Sequence, residues 1–237
     1  MGKLAVSAAD LILGARCPGC ECPALGLCRS CGASIRPDPR VAWPKPTPPV
    51  LRRPDVLPVA AGVNAGVLRA ALIAWKEQGR FGLAAPLAHL LAASVVELSP
   101  VGSPIVLVPV PTSRRSKRAR GSDVVDELAR DSARLLGRIG VDVRVEQALT
   151  YSRATADQSG LDSSARAVNV RGAFRVRRGT LRTAARVIVI DDILTTGATV
   201  GEAVRALTAI DKRPIGVAVV AATPLKSEDH QGVSRFL

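Results

Sequence analysis

Val187-Ile188-Val189-Ile190-Asp191-Asp192-Ile193-Leu194-Thr195-Thr196-Gly197-Ala198-Thr199 is the stretch from which the rest of the chain can be read. Four β-branched apolar residues in a row predict a strand buried on both faces. The strand delivers two adjacent carboxylates to its carboxyl end. A turn of small and hydroxyl residues follows and opens a helix over Ala198 to Ile210. Such a turn offers backbone N–H groups, hydroxyls and the positive end of a helix dipole, which suits a phosphate monoester. Gly197 permits close backbone approach. Two acids beside a phosphate would repel it unless they face hydroxyls or a divalent cation. A ribose 5-phosphate meets both conditions, with its phosphate in the turn and its hydroxyls on the acids. Neither GxxxxGK[ST] nor a GxGxxG after a strand is present, so P-loop and dinucleotide chemistry are unsupported.

Outward from this stretch, strand and helix patterns alternate. Val67 to Trp75, Leu83 to Leu98 and Asp123 to Ile139 carry helical apolar periodicity. Ile105 to Val110, Val141 to Leu149 and Ile215 to Ala222 read as strands. The expected fold is therefore α/β, a parallel sheet flanked by helices, with ligands at the carboxyl ends of the strands. The loops after Val110 and Ile190 are the places to look. The first holds Arg114, Arg115, Lys117, Arg118 and Arg120. It reads as a grip for an anion, as a solvated charge run or as a contact for nucleic-acid backbone. Tyr151 to Val170 lacks periodicity and is long for a passive loop. Arg166 to Arg186 holds seven arginines and no acid, a second basic zone.

The 237 residues carry 33 Lys and Arg against 20 Asp and Glu, a formal net charge of +13. A chain so basic is expected to meet polyanions: phosphate ligands, nucleic acid or an acidic surface. Aromatics are 3%, so the core must be built from Ala, Val, Leu and Ile. The longest apolar run, Ala84 to Val96, contains His89 and falls short of the ~20 residues a bilayer span needs, so no membrane insertion is expected. All five cysteines lie between Cys17 and Cys31. Cys17-Pro-Gly-Cys20 and Cys28-Arg-Ser-Cys31 are two CxxC knuckles with the spacing of a structural four-cysteine zinc site, with Cys22 as a competing ligand. Clustering of this kind points to a metal site in a reducing, cytoplasmic compartment. The chain divides into residues 1–36, a helix and cysteine module; 37–58, a linker with eight prolines; and 59–237, the main domain. Lys76 and Arg80 read as solvated or as reaching a phosphate, and His89 is expected to pack.

The Asp191–Thr199 string resembles the phosphoribosyl-pyrophosphate (PRPP) motif of type I phosphoribosyltransferases. Val108-Pro109-Val110-Pro111 with the basic stretch to Arg120-Gly121 narrows the likeness to the ComF family. So do Trp75-Lys76-Glu77-Gln78-Gly79-Arg80, Gln158-Ser159-Gly160-Leu161 and the N-terminal cysteines. Ser122-Asp123 stands where that family often has Phe-Asn. The resemblance implies that Asp191 and Asp192 hold the ribose hydroxyls of PRPP and act in catalysis. Thr195, Thr196, Gly197, Ala198 and Thr199 would wrap the 5-phosphate. Arg114, Arg115, Lys117, Arg118 and Arg120 would meet pyrophosphate, the loop at Tyr151–Val170 would close over substrate, and Cys17, Cys20, Cys28 and Cys31 would hold structural Zn2+. It implies Mg2+ with PRPP and transfer of ribose 5-phosphate to a nitrogen acceptor. It equally brings a competence role, with single-stranded DNA or a DNA-uptake helicase as partner and the fold as scaffold or PRPP sensor.

Overall fold

The computed structural model describes residues 14–53, 55–100, 102–112, 121, 123–152, 170–181 and 185–224. The helix expected over 1–13, the basic residues 114–120, most of the 151–170 loop and His230 lie outside the described residues. The strands are β1 (Arg40–Val41), β2 (Leu57–Ala60), β3 (Ile105–Pro109), β4 (Val143–Val145), β5 (Leu149–Tyr151), β6 (Phe174–Val176), β7 (Arg186–Leu194) and β8 (Gly216–Ala222). The helices are α1 (Arg29–Ser34), α2 (Gly66–Gln78), α3 (Ala84–Leu98), α4 (Val124–Arg138) and α5 (Ala198–Thr208).

Six strands form one sheet in the order β1-β2-β8-β7-β3-β4. Every pair is parallel except β1 with β2. The central strands have continuous apolar runs: Ile188, Val189 and Ile190 in β7 and Val217 to Ala221 in β8 are fully buried. Such strands need helices on both faces, and connection handedness supplies them. From β2 and from β3 the chain steps one way along the sheet, and from β7 it steps the other way. Right-handed crossovers then put α2, α3 and α4 on one face and α5 on the other. The two senses part between β3 and β7. That is the topological switch point, where open α/β sheets bind ligands.

Two sequence expectations are revised. Val141 to Leu149 is not one strand. It breaks at Glu146–Ala148, and β5 leaves the main sheet to pair antiparallel with β6. Glu146 is taken up on both sides, its N–H donating to Leu107 O at 2.9 Å and its Oε1 accepting from Leu181 N at 2.8 Å. The proline-rich stretch differs from a bare linker. Arg40–Val41 forms an edge strand, the Ala42 N–H donates to Pro58 O at 2.8 Å, and Leu51 is fully buried. Proline is barred from central ladders but tolerated at an edge, where neighbouring residues supply the donors.

α3 is apolar enough and, with its preceding turn, long enough (Phe81–Leu98, 18 residues) to suit a membrane span. Here Leu87, Leu90, Leu91 and Val95 are buried instead, and Ser94 Oγ donates to Val219 O in β8 at 2.9 Å. The helix is the filling between sheet and α4. His89 is on its exposed side, not packed as expected.

Candidate active site and metal centre

Asp191 and Asp192 occupy the end of β7 beside the switch point. β3 pairs with β7 up to Pro109 opposite Ile190, and the Val110 N–H donates to Ile190 O at 2.9 Å. Both acids are nearly buried, Asp191 9% and Asp192 2% exposed. Their inner oxygens are used locally. Asp191 Oδ1 accepts from Asp192 N at 2.9 Å, and Asp192 Oδ1 accepts from Ile193 N at 2.8 Å. Asp192 Oδ2 has no well-formed hydrogen bond. It meets the Lys76 ammonium as an ion pair at 2.5 Å. Burial pushes the Asp191 carboxyl up, the neighbouring Asp192 charge adds to it, and Lys76 only partly offsets them, leaving it at about 8. A buried group displaced this far at the mouth of a parallel sheet is a mark of a functional site.

Lys76 corrects the sequence reading, which left it to solvent or a phosphate. Its side chain is 35% exposed and is committed to the pair. The available signal was its place on α2, four residues after the buried Leu72, on the helix's apolar stripe. A cation on that stripe needs a buried partner. Arg80 is also engaged, donating from Nη2 to Ala24 O at 3.4 Å.

The turn after β7 takes the form the sequence predicts. Gly197 is left-handed (φ 72°, ψ 4°) and starts α5. The first helical bond is from Gly201 N to Gly197 O at 2.8 Å, and Thr196 Oγ1 accepts from Ala198 N at 3.4 Å. The other amides of the turn precede any helical carbonyl, so the start of the helix is open to an anion. Thr195 and Thr196 are exposed. A side chain on Gly197 would place Cβ 2.7 Å from Pro44 Cγ, so prolines of the 37–58 stretch lie against the turn.

The basic residues 114–120 lie outside the described residues, whereas Thr112 and Asp123 on either side are described. Thr112 Oγ1 donates to Asp123 Oδ1 at 2.7 Å, and the same oxygen caps α4 by accepting from Asp126 N at 3.4 Å. Thr112 and Asp123 therefore meet just beyond the carboxyl end of β3.

The four knuckle cysteines come together. The sulfurs of Cys17, Cys20, Cys28 and Cys31 all lie within 4.8 Å of one another. Cys20 and Cys28 Sγ are 3.6 Å apart. A tetrahedral Zn–S4 site with bonds of ~2.3 Å needs sulfurs about 3.8 Å apart, so the donor set fits zinc. Burial pushes the Cys17 thiol up, but the backbone N–H groups of Cys28, Gly19 and Cys20 more than offset it and bring it down to about 6. The Cys31 N–H lowers Cys28 in the same way. Cys22 stands outside the four. Hydrogen bonding to Cys20, 3.4 Å away, holds it as a thiol at about 12. Gly19 is required within the knuckle, since a Cβ would sit 2.8 Å from Cys31 Sγ and 3.0 Å from Val67. The module thus rests on the start of α2 and, through Arg80, on the turn beyond its end.

Residues 119–236 match the phosphoribosyl transferase domain family. No curated protein matches the chain. Among solved structures, a hypoxanthine phosphoribosyltransferase from Staphylococcus aureus is 16% identical (TM-score 0.35), with 60% of this chain and 64% of that one covered. The Trypanosoma cruzi hypoxanthine phosphoribosyl transferase is 22% identical (TM-score 0.32), with 61% and 68% covered. A mutant of the T. cruzi enzyme complexed with the product IMP is 19% identical (TM-score 0.33), with 62% and 71% covered. The chain thus spans somewhat less than two thirds of the first of these. Scores this low carry no functional inference by themselves. The mostly parallel sheet flanked by helices and the family match over residues 119–236 together give this chain a phosphoribosyltransferase-type fold.

Proposed function

We propose that the protein binds PRPP with Mg2+ at the β3–β7 switch point. It would transfer ribose 5-phosphate to a nitrogen acceptor and release pyrophosphate. The observation that carries this reading is Asp192 Oδ2, buried and without a well-formed hydrogen bond, beside an open helix start. A ribose hydroxyl or a divalent cation would complete the carboxylate, while the 5-phosphate takes the amides and hydroxyls of Thr195–Thr199. Asp191 and Asp192 are the residues that would hold Mg2+ with PRPP; the ion would neutralise charge on the pyrophosphate. Arg114, Arg115, Lys117, Arg118 and Arg120 would take the leaving group. The acid pair would favour positive charge developing at the ribose carbon as pyrophosphate departs. Catalysis would then be positioning and charge stabilisation, with no dedicated base required.

The zinc module would be structural, since all four ligands are protein thiolates and none is exchangeable for substrate. The resemblance to the ComF family supports the same site. Its competence role, with single-stranded DNA or a helicase as partner, is the rival. A pure DNA-binding scaffold has no use for a buried acid pair neutralised by one lysine. Pyrophosphate release in the presence of PRPP, Mg2+ and a panel of nitrogen acceptors separates the two. Acceptor-dependent release is expected. Binding of PRPP without release for any acceptor, alongside single-stranded DNA affinity with a steep salt slope, would favour the rival.

A further inference from the structure

Beside the ribose-phosphate turn lies a cleft of about 840 Å3, within the ~300–1,000 Å3 range of small-molecule sites. It opens between the 34–44 segment, the loop from β2 to α2, and the carboxyl ends of β7 and β8. Leu194 and Thr195, the last residue of β7 and the first of the turn, form part of its wall. A molecule in the cleft is therefore a neighbour of whatever the turn holds. Three large apolar side chains left open by the fold, Val41 (49% exposed), Trp43 (37%) and Val63 (57%), line this one cleft. The cleft's charge is one-sided. Asp38 and Arg40 neutralise each other at 2.9 Å, whereas Arg36 has no carboxylate partner among the described residues.

We propose that this cleft receives the acceptor, and that the acceptor is a planar heteroaromatic acid. Its ring would lie on Trp43 between Val41 and Val63, and its carboxylate would meet Arg36. This rests on the ribose-phosphate reading for the chemistry but not for the binding. Apolar walls with one cation free of a carboxylate partner select a flat ring carrying a single negative charge. In the transfer, a ring nitrogen lone pair forms the bond to the ribose carbon. The bond from that carbon to pyrophosphate breaks, and its electron pair leaves with pyrophosphate. A proton on the nitrogen, where there is one, passes to solvent.

The test uses the full chain and two pairs of probes that contrast a carboxylate with a neutral counterpart: orotate with uracil, and nicotinate with nicotinamide. Trp75 is 4% exposed, so quenching of tryptophan fluorescence by these probes reports on Trp43. At least one acid should quench with saturation, and bind about 10-fold or more tighter than its neutral partner. Calorimetry should show that Arg36→Ala removes this preference and Trp43→Ala removes binding. Trp43→Phe, which keeps a ring, should retain binding. Equal binding of acids and neutral partners, or a preference unchanged in Arg36→Ala, overturns the acid class. No binding of any probe, with or without PRPP and Mg2+, overturns the cleft assignment. PRPP titration of the same samples reports separately on the ribose-phosphate site. Failure of the cleft with PRPP bound leaves that reading standing, and probe binding without PRPP affinity does the reverse.

Discussion

The carboxylate pair at the end of β7 and the thiol cluster in the cysteine module pose one problem, like groups crowded together, and resolve it in opposite ways. In the module, backbone N–H groups point at sulfur and bring Cys17 down to about 6, while burial and the neighbouring sulfurs push Cys31 up, so the cluster is partly ionised before any ion arrives. At β7 the backbone N–H that reaches Asp191 is outweighed, and burial with a neighbouring charge drives Asp191 up to about 8. One lysine holds Asp192, and one of its oxygens is left without a well-formed hydrogen bond. A metal on the four sulfurs would close the first cluster and leave it inert. The second keeps Asp192 Oδ2 on a single partner, Lys76, a pairing that a ligand's hydroxyls or a cation would extend or replace. Stability is thus gained at one region and withheld at the other, as expected where a site is shaped for binding.

The largest contrast should come from removing the metal. The apparent binding free energy of structural zinc in finger peptides is about 10–16 kcal/mol, so chelation, or Cys28→Ser, should melt residues 14–36 outright. Metal analysis should find one zinc per chain in the wild type and none in Cys28→Ser. Because the module touches α2 through Val67, and Arg80 beyond the helix end, chelation should also loosen the helix that carries Lys76. Hydrogen exchange of α2 amides would show this. An unchanged α2 would mean the two regions are independent.

Lys76→Met sharpens the other side. It strands a buried carboxylate, and breaking a buried pair from one side costs about 3–5 kcal/mol. Denaturant melts should show that loss, and Asp192→Asn added to Lys76→Met should recover a good part of it. The same logic gives a pH dependence. Asp191 holds its proton up to about 8 in the folded chain and releases it near 3.9 when unfolded. The folded state therefore binds the extra proton between these values. The contribution of Asp191 to stability is full below about pH 4, falls as pH rises towards about 8, and levels off beyond, with a slope of at most about 1.4 kcal/mol per unit. Asp191→Asn should flatten that slope and leave the unliganded protein more stable at pH 8. A fall in stability at pH 8 on that substitution would contradict the account. Gly197→Ala should have the smallest effect, about 1–2 kcal/mol for the left-handed backbone plus the clash with Pro44. It should weaken phosphate binding at the turn more than it lowers the melting temperature.

The same comparison separates what could be read in advance from what could not. The strand, acid pair, turn and helix of residues 187–199 are contiguous, and each local preference agrees with the final structure. The knuckles are likewise two local turns, and their spacing was enough. Lys76 was missed because its partner is more than a hundred residues away, and only its place on the apolar stripe of α2 hinted at burial. The 37–58 stretch is harder to read, because proline content records only which donors are absent. It says nothing of Ala42, Leu51 or Pro44, which bond to β2, fill the core and abut Gly197. The break at Glu146 depends on Leu107 and Leu181, contacts that no window of sequence contains. The cleft is assembled from four separate segments and has no signature in any one of them.

The most direct test of the central claim is a calorimetric titration of PRPP with Mg2+ into the wild type and the Asp191→Asn/Asp192→Asn variant, with melts of both. The account predicts micromolar binding by the wild type and a loss of about 100-fold or more in the variant, equivalent to about 2.8 kcal/mol, with the variant still folded at the temperature of the titration. Equal affinity in the two proteins, or no binding by the wild type, would contradict it.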